Sequence, residues 1–242
     1  MNASRIIAAF GLTIAGLAGA GYVYTESQSI DNTRLERSVV LVQALQALDG
    51  RWSVELLQVK SNPEAHFDGL AAISPEVRRH TRELKKIARG DPAVSPPLKA
   101  SIMGYISRLD SKGERVERFK SAYAIVRNSE RYLPIAVQMV SARSGEFKQP
   151  NLNRSVQTYL ADLNNYFLTR SEPEKVRILT NLSELRAGRQ QYPPTLRSAL
   201  GNFVAHALVL IAQTGPLNDL LAGATNLEST NVANTLIEDI TE

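Results

Sequence analysis

The sequence predicts an all-α fold, with an N-terminal transmembrane helix followed by two tandem antiparallel helical-bundle modules that share a long central helix. Three observations support this. The 19 residues from Ile6 to Tyr24 carry no charge. From Leu35 onward, apolar residues return every three or four positions, the helical period. A shift of 98 residues superimposes one part of the chain on another.

Bulk composition agrees. The chain has 242 residues, 43% of them hydrophobic, enough to bury a real core in one large domain or two small ones. Lys and Arg outnumber Asp and Glu by only 28 to 24, a small and scattered excess that gives weak attraction to nucleic acid. The absence of Cys removes disulfides, thiolate metal sites and thiol nucleophiles together.

At about 1.5 Å per helical residue, the run after Arg5 is just long enough to cross the hydrocarbon core. It reads as an anchor or as a signal peptide. Ala18-Gly19-Ala20 has the small-x-small form of a cleavage site, whereas the apolar run continues past it and Tyr22 and Tyr24 suit an aromatic belt. The anchor is the favoured reading. In either case Arg5 on the short side places the N-terminus inside and exports the chain beyond Thr25. Gly11, Ala15 and Gly19 share one face of this helix and would let two copies pack closely, although small residues are common in such segments.

Residues 1–26 are therefore assigned to the anchor or signal segment, 27–143 to a first helical module and 144–242 to a second. The first module opens with a long amphipathic helix. Leu35, Val39, Val42, Leu45, Leu48, Trp52, Leu56 and Val59 form its apolar stripe, and Glu36, Arg37, Gln43, Gln46 and Asp49 are placed on other faces. It ends near Ser61-Asn62-Pro63, since proline lacks a donor and restricts its predecessor. A looser connection leads through Gly69, and Ser74-Pro75-Glu76 reads as a helix start with proline at the first position. That helix, about Pro75 to Arg89, sets Arg78, Arg82, Lys85 and Arg89 opposite Val77, Thr81, Leu84 and Ala88, the ordinary pattern of a surface helix.

Prolines and glycines around Gly90-Asp91-Pro92 and Ser95-Pro96-Pro97 mark a loop, after which Leu98, Ile102, Tyr105, Ile106 and Leu109 restart the period. A break is expected at Asp110 to Gly113. The central helix then runs from Glu114 to Pro134, with Val116, Phe119, Tyr123, Val126 and Leu133 turned to a core. Pro134 predicts a kink or a boundary, because the apolar period continues to Val140.

The second module repeats the first. The 98-residue shift puts Pro75 on Pro173, Leu84 on Leu182, Ile87 on Leu185, Gly90 on Gly188, Leu98 on Leu196 and Tyr105 on Phe203. Each module needs about four helices to close a core, and short loops favour antiparallel neighbours. The second is expected to hold helices near Leu152–Arg170, Glu172–Ala187 and Thr195–Gln213, then short pieces near Leu217–Leu221 and Asn231–Ile240. The last stops at Glu242 after only about three turns, which reads as truncation.

Enzyme chemistry finds no support. His66, His80 and His206 are far apart, with no i, i+4 pair to hold a metal. No phosphate loop, dinucleotide fingerprint or nucleophile elbow is present, and Glu114 and Glu117 lie beside Arg115 and Arg118, so surface pairing accounts for them. No catalytic residue, metal or cofactor is expected.

The stretch containing Glu117, Phe119, Lys120, Ser121, Ala124, Arg127, Asn128, Ser129, Tyr132 and Pro134 resembles the signature of the double all-helical ligand-binding (DAHL) sensor domains, roughly E-x-F-K-S-x-x-A-x-L-R-N-S-x-x-Y-x-P. Val126 stands where Leu is usual, and Tyr123 where Asn is common, which removes an amide from a polar site. The resemblance covers about Leu35 to the C-terminus, with the strong match confined to the central helix. It implies the periplasmic sensory region of a bacterial membrane receptor, most often a two-component sensor histidine kinase and sometimes a cyclase. A complete receptor would add a second membrane span and a cytoplasmic output domain. The expected partners are the membrane, a small organic or anionic ligand or a periplasmic binding protein, and a second copy of the chain.

For a ligand site, Arg127, Asn128, Arg131 and Tyr132 come first, because Arg and Asn donate to a carboxylate and Tyr can line an apolar slot. The competing role for Arg127 and Asn128 is to fasten the helix to its neighbours, which is the favoured one. A different class of function also fits, namely a self-contained, envelope-anchored helical scaffold or partner-binding protein without signalling output.

Overall fold

The computed structural model describes residues 33–62, 66–90, 94–226 and 228–241. The anchor, the cleavage motif and the packing residues Gly11, Ala15 and Gly19 lie outside the described residues. Within them the fold is all-α, without a strand. Its helices are α1 (33–61), α2 (Asp68–Gly90), α3 (Pro96–Glu146), α4 (Pro150–Thr169), α5 (Glu172–Gly188), a 3-10 turn (Arg189–Gln191), α6 (Pro194–Thr225) and α7 (Glu228–Thr241).

Two compact units divide these elements. The first takes α1, α2, α3 as far as Gly113, and α7; the second takes α3 from Glu114, α4, α5 and α6 as far as Ala224. Each therefore has four helical segments, and α3 serves both. The sequence division at 143/144 falls instead inside the second unit, because α3 does not stop where one core ends and α7 returns to the first unit.

In the first unit, α1 and α2 run antiparallel: Arg37 near the start of α1 pairs with Glu83 near the end of α2 at 2.8 Å, while Glu55 lies against Gly69. Gly69 has no Cβ to collide with that carboxylate. α7 is antiparallel to α1 as well, as the bonds from Gln46 to Asn234 and from Ser229 to Asp49 show. The core is Leu41, Val42, Leu45, Trp52 and Leu56 of α1, Leu70, Ile73, Val77 and Leu84 of α2, Ile102, Tyr105 and Leu109 of α3, and Ala233 and Leu236 of α7. Burying each large apolar side chain contributes about 1.5–3 kcal/mol.

In the second unit, α3 and α6 are antiparallel, with Arg115 donating to the Gly223 carbonyl and Ser129 meeting His206. α4 and α5 form a hairpin tied by Asn165 and Thr169 to Glu174 and by Arg177 to Asp162. The α3–α4 corner is a Schellman cap: Gln149 N–H donates to Ser144 O at 2.7 Å and Lys148 N–H to Gly145 O at 3.2 Å, with Lys148 itself at φ 53°. Pro150 then starts α4 at a position where no helical donor is needed. The segment Pro194–Thr241 contains a stretch apolar and long enough to cross a membrane. α6 nevertheless buries Leu196, Leu200, Phe203, Val204, Ala207, Leu210 and Ile211 in this unit, so its apolarity serves a bundle core.

Four expectations need correction. Pro75 does not open a helix; α2 begins at Asp68 and passes through it, because Leu70 and Ile73 continue the buried stripe of Val77, Thr81 and Leu84 toward the N-terminus. Core burial there outweighs the lost hydrogen bond. Asp110 to Gly113 is not a break. Residues 102, 105, 109, 112, 116, 119, 123 and 126 form one buried stripe across it, and the Trp52 ring lies 3.5 Å from where a Cβ on Gly113 would stand. Leu217–Leu221 belongs to α6, which continues through Pro216. Asp49 is not on an outer face but in the core, 2% exposed. Of the two alternatives at Pro134, the helix continues.

Candidate functional site

Sequence reasoning singled out four residues of α3, and the structure places them on one stretch of the second unit. Arg127 is half-buried, Asn128 and Arg131 are exposed, and Tyr132 is 37% exposed. Tyr132 lies against the His206 ring of α6, with centroids 4.8 Å apart. One turn earlier, buried Ser129 meets His206 Nδ1 at 3.2 Å. Arg127 sits close enough to Tyr123 to oppose, by its positive charge, the upward push that burial exerts on that phenol. The four residues thus run along the helix, and His206 is the partner that sequence spacing could not supply.

A polar cluster that the sequence reading missed lies in the first unit. Lys112 Nζ is 2.6 Å from Asp49 Oδ1, with side chains 4% and 2% exposed. The ammonium also donates to Ser53 Oγ at 3.2 Å, and Ser229 of α7 donates to Asp49 Oδ2 at 2.7 Å. Tyr105 Oη and Trp52 Nε1, both buried nearby, have no hydrogen-bond partner among the described residues. Burial, and secondarily the Asp49 charge, push the Tyr105 phenol well above its ordinary value. Removing either partner of such a buried pair would leave the other charge stranded in the core.

Among the described residues, each unit has a cleft with room for a ligand. The first, of about 640 Å³, lies between the start of α1 and the end of α2, against Val40 and Ile87. Its Arg37 is already paired with Glu83. The second, of about 520 Å³, lies where the α4–α5 corner meets the middle of α6. Its apolar wall is Leu179, Leu208 and Ile211, its aromatic wall Tyr166, and its charged rim Arg170, Glu172 and Lys175. Lys175 is held by Glu172 at 3.0 Å, and that hydrogen bond raises its affinity for the proton. The volume falls within the range of small-molecule sites. Among the described residues no group of three or more His, Asp or Glu could hold a metal ion.

The architecture is thus two four-segment helical units with α3 common to both, and the signature residues from Glu117 to Pro134 all stand on α3. A model of the DAHL domain family matches residues 30–242. The chain belongs to the DAHL domain family. DAHL domains are sensor domains of bacterial receptors, and the match spans nearly the whole of this chain. No curated protein and no solved structure was found to match it. In this DAHL domain the signature has a visible structural reason. Phe119 and Ser129 are buried on α3, Lys120 pairs with Glu117 at 2.9 Å, and Ser121 donates to the Glu117 carbonyl. Much of the motif therefore builds the helix and seats it.

Proposed function

We propose that this DAHL domain is the periplasmic sensory region of a bacterial inner-membrane receptor, of the two-component histidine kinase type, with its N-terminus in the cytoplasm. The observation that carries this reading is the sensor-family match over residues 30–242 behind an uncharged run of 19 residues that begins after Arg5. The domain contributes recognition, and the enzymatic output belongs to another part of the receptor. A ligand, free or delivered by a periplasmic binding protein, biases two packings of a helical unit, and α3, common to both units, passes the shift on. A second copy of the chain is the natural partner, because a receptor of this kind signals through paired helices.

Alkaline phosphatase fused after Thr241 of the full chain tests the topology. Active fusions are expected, since that enzyme matures only after export; an inactive, cytoplasmic fusion overturns the reading. Joined to a histidine kinase output in membrane vesicles, the domain should make autophosphorylation respond to ligand, and a constant rate would refute a sensory role.

A further inference from the structure

We propose that the cleft at the α4–α5 corner of the second unit binds a small organic monocarboxylate with an apolar body, Arg170 holding the carboxylate. This rests on the sensory reading and names the class of ligand. The argument begins with the backbone of Arg170, which caps α4 at φ 55° and ψ 27°, its N–H donating to Tyr166 O at 2.8 Å. Gly or Asn ordinarily stands at such a left-handed position, because a Cβ there meets the neighbouring carbonyl. A long cationic side chain at that point carries backbone strain that Gly would avoid, offset only in part by the attraction of a cation to the helix C-terminus.

The position instead sets a guanidinium at the mouth of the cleft. It lies 6.0 Å from the Tyr166 ring centre and 5.6 Å from that of Phe167, within cation–π range. Its contacts therefore leave the N–H fork available. Among the described residues no carboxylate lies within ion-pair distance of it, whereas Arg37, Arg143 and Arg177 each have one. Glu172, the acidic residue of the same rim, is engaged with Lys175. Those two charges offset each other, so the cleft retains the single positive charge of Arg170 and favours a monoanion.

The opposite wall selects for the rest of the molecule. Leu179, Leu208 and Ile211 offer a slot for an aromatic or branched body. Pro216 stands inside α6 and has no N–H, which leaves the Ala212 carbonyl without its helical donor; both residues line the cleft. A hydroxyl on the ligand can donate to that carbonyl. A carboxylate, a neighbouring hydroxyl and an apolar ring together describe a molecule such as 3-phenyllactate.

Calorimetric titration of the purified full chain in detergent tests the inference, with 3-phenyllactate as the probe and its neutral amide as the control. Saturable binding of the acid is expected, with the amide at least about tenfold weaker, since a charge-assisted bidentate pair is lost. Arg170→Gln should weaken binding by about tenfold or more, and Arg143→Gln, on a paired arginine elsewhere, should leave it unchanged. Arg170→Gly supplies the check on folding: it should raise the unfolding midpoint while abolishing binding. Equal binding of acid and amide, an unchanged affinity in Arg170→Gln, or no saturable binding of aromatic or branched carboxylates at millimolar concentration overturns the proposal. If binding depends on Arg170 but the output of a kinase fusion does not respond, the cleft assignment stands and the sensory reading fails.

Discussion

Replacing Lys112 by methionine should destabilise the first unit by about 3–5 kcal/mol. Methionine keeps the length of the chain and its packing but removes the ammonium that reaches Asp49 Oδ1 at 2.6 Å and Ser53 Oγ at 3.2 Å. Asp49 is then left as a carboxylate only 2% exposed, with the Ser229 hydroxyl as its remaining donor. That charge-assisted hydrogen bond contributes about 1.5–3 kcal/mol, which falls short of the cost of a stranded buried charge. The double variant Lys112→Met/Asp49→Leu strands neither charge, and it should recover to within about 1 kcal/mol of the parent or exceed it. The coupling between the two sites is then about 3 kcal/mol or more, well beyond the additivity expected of independent positions. Urea unfolding followed by circular dichroism at neutral pH measures all four corners of the cycle. A cost below about 1 kcal/mol for Lys112→Met would refute the reasoning, since that is the value of an exposed ion pair and not of a dry one.

Two local features give further expected outcomes. Tyr105→Phe removes a buried hydroxyl that has no partner among the described residues, so it should be neutral or stabilising by about 1 kcal/mol. Because burial raises the phenol above its ordinary 10.0, the folded state holds the proton more tightly than the unfolded one. The associated stability is present below about pH 10 and is lost as pH rises beyond it. Tyr105→Phe should therefore lose less stability than the parent between about pH 8 and about pH 10.5, and equal losses in urea titrations would count against this burial. Lys148→Gly relieves a left-handed residue at the α3–α4 cap and should stabilise by about 0.5–1 kcal/mol, read as a higher urea midpoint at unchanged slope.

The helical stripes were legible because a bundle core repeats with the helix itself. Val77, Thr81, Leu84 and Ala88 are buried as their spacing requires, and Leu182 and Phe203 are buried as Leu84 and Tyr105 are, whereas Leu196 is buried and Leu98 only partly so. Helix ends were less legible. Pro75 read as a helix start and Leu217–Leu221 as a separate piece, yet Pro75 and Pro216 both lie inside helices, since a helix packed along its length tolerates one missing donor when the residues on either side are buried. Asp49 shows a different failure. It stands four residues after Leu45 and three before Trp52, squarely on the buried stripe, and its charge alone assigned it to solvent. Lys112 occupies the matching place between Leu109 and Val116. Opposite charges at core positions of two helices were a signal of pairing that the period already contained.

By itself, then, the sequence determined what depends on neighbours along the chain: the all-α class, the apolar faces, the duplicated pattern and the family signature on α3. Only the tertiary structure decided what depends on residues far apart in sequence. It took α7 back to α1, 180 residues away, through Ser229 and Asp49. It brought His206 to Ser129, 77 residues apart, and set Arg170 over a slot made by α5 and α6. The physical reason is the range of the forces involved. Helix period and capping act over three or four residues and are written locally, whereas a buried charge or a cleft exists only after the chain has folded back on itself.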